Sequence, residues 1–162
     1  MTEVQVVPQS SMSADVVSGV AQFLGPVVVD LTALAVDGKQ AHWHVRGANF
    51  QAVHELLDSV VDHAHEYADT AAERVVALGL PLDVRIQTVG AKATTPKLDA
   101  GFQQSDTVIA QIIASIDATL VTVRTAVDEL GPLDAVSQDV AIEIARGLEK
   151  DRWFLFAHLA TK

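Results

Sequence analysis

Between Asn49 and Gly79 the chain runs without an internal glycine or proline. Asn49 is a good helix cap and Gly79 followed by Pro81 is a stop signal, so the stretch predicts one long helix. At about 100° per residue, His54, Asp58, His65, Asp69 and Glu73 fall within an arc of roughly 100°. One face of one helix therefore carries two imidazoles and three carboxylates. With no thiol among them, such donors suit iron, zinc or manganese.

His54 and Asp58 are four apart, as are Asp69 and Glu73, so each pair offers two ligands to one cation. At about 1.5 Å rise per residue the pairs lie roughly 22 Å apart along the axis, far beyond metal–ligand bonds of about 2.0–2.6 Å. One helix cannot close a single site with both. Antiparallel packing against a second copy removes the difficulty. A two-fold axis near His63 and Ala64 sets His54 and Asp58 of one chain opposite the other chain's Asp69 and Glu73, and isologous symmetry repeats the site. A di-iron site inside one bundle would use Glu-x-x-His pairs, and the chain contains none. The site is thus pushed toward a subunit interface.

The segments Ala41 to Asp58 (AHWHVRGANFQAVHELLD) and Asp69 to Gly79 (DTAAERVVALG) closely resemble the Dps family, the miniferritins named as DNA-binding proteins from starved cells, and the resemblance extends over essentially the whole chain. It implies an all-α, ferritin-like four-helix bundle with a short helix in the long crossover between the second and third helices. It implies a homo-oligomer, a dodecamer built from two-fold dimers. It also implies ferroxidase centres at which Fe(II) is oxidised, preferably by hydrogen peroxide, with ferric mineral stored in a hollow shell and protection against oxidative stress as the result. By the match, His42, His54 and Asp58 are the ligands given by one subunit and Asp69 and Glu73 those given by its mate, around two irons, with zinc or manganese as substitutes. His42 enters the set through the resemblance alone.

The rest of the chain fits that frame. Residues 1–12 are expected as a mobile N-terminal arm and 13–162 as a single domain, a length and an apolar content of 49% that suffice for one core. A positive mean hydropathy points to extensive subunit contacts as well. The first helix is expected from about Ser13 to Arg46, kinked or begun in earnest at Pro26, with Phe23, Val27, Leu31, Leu34 and Gly38 on its core face. A short helix is expected near Asp83–Val89, a third long helix from Gln103 to Leu130, and a fourth from Asp134 to Leu159. The longest apolar run, around Pro26 to Val36, falls short of the roughly 20 residues of a membrane span and is broken by Asp30. The first Lys or Arg is Lys39, which argues against a secretory signal. Cysteine is absent, so no disulfide is available, and the cytoplasm, including its nucleoid, is the default location.

Other residues admit two readings. His65 shares the ligand face and is taken first as a histidine packed at the dimer seam, with an extra ligand as the alternative. His44 lies roughly 200° round from His42 as a structural or exposed group, and His63 lies off the ligand face as a solvated one. Asp62 and Glu66 are either mineral-seeding or merely solvated. Asp134, Asp139 and Glu143 are, by the resemblance, pore-lining acids that would focus cations. Trp43 and Trp153 read as core aromatics. Net charge is −10, with 11 Lys and Arg in all and no basic run, so DNA binding through phosphate neutralisation is not expected at neutral pH. The competing functions are a DNA-compacting nucleoid protein with metal sites and a bundle whose interfacial metal is a structural clip without turnover.

Overall fold

The computed structural model describes residues 10–159. In chain order the elements are α1 (Ala14–His44), β1 (Val45–Arg46), α2 (Phe50–Ala77), α3 (Ile86–Lys92), β2 (Gln103–Gln104), α4 (Ser105–Leu130) and α5 (Ala135–Leu159). The four long helices form a bundle in which α1 packs chiefly on α2, α4 on α5, and α1 also on α4. Leu31, Leu34, Leu57, Ile112, Ile116 and Leu148 are wholly buried between them, the outcome of apolar residues at three- and four-residue steps. The expected arm at residues 1–9 and the lone Lys162 lie outside the described residues. Residues 10–12 are held in place, because Met12 packs against the core with its Sδ facing the Arg74 guanidinium.

Helix ends depart from the sequence expectation for local reasons. Ser13 caps α1, its hydroxyl accepting from Val16 N–H. The helix then continues unbroken through Pro26. Proline removes the amide that would serve the Gln22 carbonyl, and both residues stand exposed, so water can serve the carbonyl instead. At Gly38 a Cβ would lie 2.9 Å from Val61 Cγ2; the missing side chain lets α2 come close to α1 just before Lys39.

The short crossover helix begins at Ile86 rather than at Asp83. The Asp83 carboxylate accepts from the backbone and side chain of Arg85, holding an extended entry in which Arg85 is the cap. The third long helix starts at Ser105 because Gln103 and Gln104 pair in parallel with Val45 and Arg46. The crossover is fixed from within by Asp30, buried at 1% exposure. Its carboxylate accepts from Thr94 N–H at 2.8 Å, Thr94 Oγ1 at 2.7 Å and Thr122 Oγ1 at 2.6 Å.

Contrary to the reading of the apolar runs, α1 and α4 are both long and apolar enough to cross a membrane. Of these apolar stretches 56% in α1 and 50% in α4 is buried, packed against the other helices of the bundle. Trp43 and Trp153 correct a second expectation: at 62% and 64% exposure neither is a core aromatic of the single chain.

Candidate metal centre

The turn between α1 and α2 sets the geometry. Gly47 has φ +96°, and a Cβ there would collide with the Gln104 amide; only glycine accepts both conditions. Asn49 heads α2, but through a left-handed backbone at φ 59° rather than a side-chain cap. Ser105 Oγ donates to Ala48 O at 2.7 Å, so the turn is tied to the start of α4. The chain thereby doubles back and lays the first turns of α2 on the last turns of α1.

His42 and His54 meet there face to face, their ring centroids 3.6 Å apart and the planes inclined by 21°. His42 Nδ1 lies 2.8 Å from His54 O, and His54 Nδ1 lies 2.9 Å from His42 O. A carbonyl oxygen only accepts, so each neutral ring carries its proton on Nδ1 and keeps the Nε2 lone pair for a ligand. Pinning of one ring nitrogen by a carbonyl is how metal-binding histidines are ordinarily oriented. Phe50 also stacks on His54, with ring centroids 5.1 Å apart. His42 is buried at 7% exposure while His54 is half-buried, so the pair sits at the bundle surface.

Asp58 stands one turn further along α2, with Oδ1 3.2 Å from His42 Nδ1 and 2.5 Å from Lys39 Nζ. The hydrogen bond from Lys39 holds its carboxyl below the usual range; partial desolvation opposes this and the two histidines add to it. Asp69 and Glu73 stand exposed farther along the helix, as does His65. Among the described residues, no three His, Asp or Glu side chains form a set that could hold a metal ion. The donors lie in two separate places, His42 of α1 near His54 and Asp58 of α2, and Asp69 with Glu73 farther along α2, and neither place closes a site within one chain among the described residues. That chemistry fits a borderline divalent metal such as Fe(II) or Zn(II).

The acids of α5 separate. Asp139 and Glu143 are exposed. Asp134 is not: buried at 8%, it accepts from Arg74 at 2.7 Å, from Ser137 N–H at 2.9 Å and from Ser137 Oγ at 2.5 Å. It caps α5 and pairs with a guanidinium, so it is corrected from a pore acid to a joint between α2 and α5. His63 is corrected likewise. Expected in solvent, it places Nδ1 3.0 Å from both oxygens of Asp151. Lys39 and Phe50 were missed altogether, although Lys39 sits three residues before His42, a spacing that shares a helix face.

A profile of the ferritin-like domain matches residues 24–162. The DNA protection during starvation protein of Mycolicibacterium smegmatis is 36% identical over 145 residues, 88% of this chain and 78% of that protein. The fine tangled pili major subunit of Haemophilus ducreyi is 32% identical over 140 residues, 86% of this chain and 74% of the relative. Among solved structures, the Dps of Microbacterium arborescens in its high-iron form superposes with a TM-score of 0.91 at 57% identity, covering 94% of this chain and 99% of that one. Fold, domain match and relatives agree that the chain is a ferritin-like protein of the Dps family.

Proposed function

We propose that this chain is one subunit of a hollow iron-storage shell that oxidises Fe(II) at sites shared between two copies. The observation that carries the reading is the mutual pinning of His42 and His54 through their Nδ1 atoms, which leaves both Nε2 lone pairs free for a ligand, with the Asp58 carboxylate 3.2 Å from the His42 ring. In the shared site these three groups meet Asp69 and Glu73 of the partner subunit across a two-fold axis, and the pair of copies holds two such sites. His42 and His54 bind the metals as neutral imidazoles. Asp58 and Glu73 bridge or complete the coordination, and Asp69 ligates or orients from behind.

Fe(II) is the substrate, and hydrogen peroxide the preferred oxidant. Two Fe(II) ions each give up one electron, the O–O bond breaks, and two hydroxides form, so no hydroxyl radical leaves the site. The protein places the two metals and limits access by bulk water. The ferric product passes to the interior, where Asp62 and Glu66 offer carboxylates for mineral growth. Asp139 and Glu143 remain candidates for an acidic ring that draws cations inward. By kinship with the Dps family the shell is a dodecamer that works in the cytoplasm against oxidative stress.

The test is anaerobic loading with Fe(II), then peroxide, following the near-ultraviolet absorbance of the ferric product. Asp58→Ala and Glu73→Ala are each expected to slow the reaction at least tenfold. Wild-type rates in both variants, with metal still bound, would instead mark the site as a structural clip.

A further inference from the structure

Lys39 lies on α1 one turn before His42, and its ammonium rests 2.5 Å from Asp58 Oδ1, the same oxygen that His42 Nδ1 approaches at 3.2 Å. One oxygen of a proposed metal ligand is therefore already engaged by a cation belonging to the protein. The two side chains are 38% and 43% exposed, and a pair so open to water is weak enough to be exchanged.

Charge counting gives the pair a meaning, on the shared-site reading above. Asp58 with Asp69 and Glu73 of the partner subunit supplies three negative charges, and the two histidines are neutral. One divalent ion and the Lys39 ammonium balance these. A second divalent ion leaves the site at +2 while Lys39 is present and at +1 when it is absent, and the excess must be borne where the partner subunit, on that reading, covers the site and reduces screening.

We propose that Lys39 is a built-in competitor for the second metal position. The first divalent ion binds with the Lys39–Asp58 pair intact. The second binds only as Asp58 is given up by the ammonium, so Lys39 sets the threshold at which the site becomes a two-metal centre. Its role is in positioning and occupancy, since it is neither a ligand nor a proton donor in the reaction.

The experiment is an anaerobic titration of the assembled protein with Co(II), read by calorimetry and by the visible absorption of the bound ion. Wild-type protein is expected to take up one Co(II) per chain tightly and a second weakly. Lys39→Gln is expected to tighten the second step roughly fivefold, the size of one half-exposed ion pair, and leave the first nearly unchanged. Lys39→Arg keeps the cation and is expected to retain the weak second step. Thermal melting of metal-free protein verifies that both variants are folded. A second step in Lys39→Gln that is equal to or weaker than wild type overturns the proposal. His54→Ala separates the two layers of the argument. If Co(II) uptake persists in that variant or is missing from wild type, the shared-site reading itself fails; if uptake depends on His54 but ignores Lys39, only the competitor role does.

Discussion

His63 and Asp151 join α2 to α5 across the bundle, with Nδ1 3.0 Å from both carboxylate oxygens and Asp151 buried at 3% exposure. Burial pushes the Asp151 carboxyl above its usual range, and His63 pulls against that. Removing the imidazole strands a charge. His63→Leu is expected to cost about 2–3 kcal/mol in chemical denaturation, below the full cost of breaking a buried pair because His63 is itself partly exposed. A group with a raised folded value favours folding below its ordinary value and loses that contribution as pH rises through the raised one. The variant's melting temperature should therefore climb, relative to wild type, as pH is lowered from neutrality.

Asp134 responds in the opposite sense. Burial alone would raise its carboxyl, but the Ser137 hydroxyl, Arg74 and the Ser137 amide outweigh burial and hold it at about 2. The stability it lends is present above the ordinary carboxylate value of about 4 and is lost as pH falls through about 2. Asp134→Asn should flatten that part of the acid-unfolding curve. Arg74→Met should cost about 3 kcal/mol at neutral pH by leaving a buried carboxylate without its cation.

Sharing of sites between copies makes a prediction that mutation of one chain alone cannot. In a dimer of one Asp58→Ala chain and one Glu73→Ala chain, both lesions fall in the same site and the other site is intact. Random mixing of the two chains before assembly should recover about one quarter of wild-type Fe(II) oxidation, since about half of the dimers are mixed and half of their sites are whole. Recovery no greater than the inactive parents would place the ligands of each site within one subunit.

Nucleic acid should be left alone. With a net charge of −10 and 11 basic residues, the chain lacks the cation density that non-specific DNA binding demands. No gel retardation is expected at about 0.15 M salt without added divalent metal.

Long-range architecture was legible because it is periodic. Helical patterns locate four long helices, and the arithmetic of rise per residue divides the donors of α2 into two sets. What escaped the sequence was pairing between residues far apart in the chain. His63 is separated from Asp151 by 88 positions, and no helical period links them. Asp134 looked like an exposed acid until Arg74 came within 2.7 Å. Trp43 and Trp153 were placed inside because large aromatics usually are, whereas the bundle's interior is filled by Leu, Ile, Val and Ala and has turned both outward. The shift of α3 follows from the Asp83–Arg85 hydrogen bonds, too local to leave a pattern, and the two-residue strands pair Val45 with Gln103, again far apart in the chain.

Asp30 is a proofreading device for chain routing. It collects three hydrogen bonds from two segments far apart in the chain, the crossover at Thr94 and α4 at Thr122. A chain that sent its crossover along the wrong side would leave a bare carboxylate sealed among hydrocarbon, at a cost of several kcal/mol. A miswound bundle could match the native one in oily contacts and still be rejected at this one position.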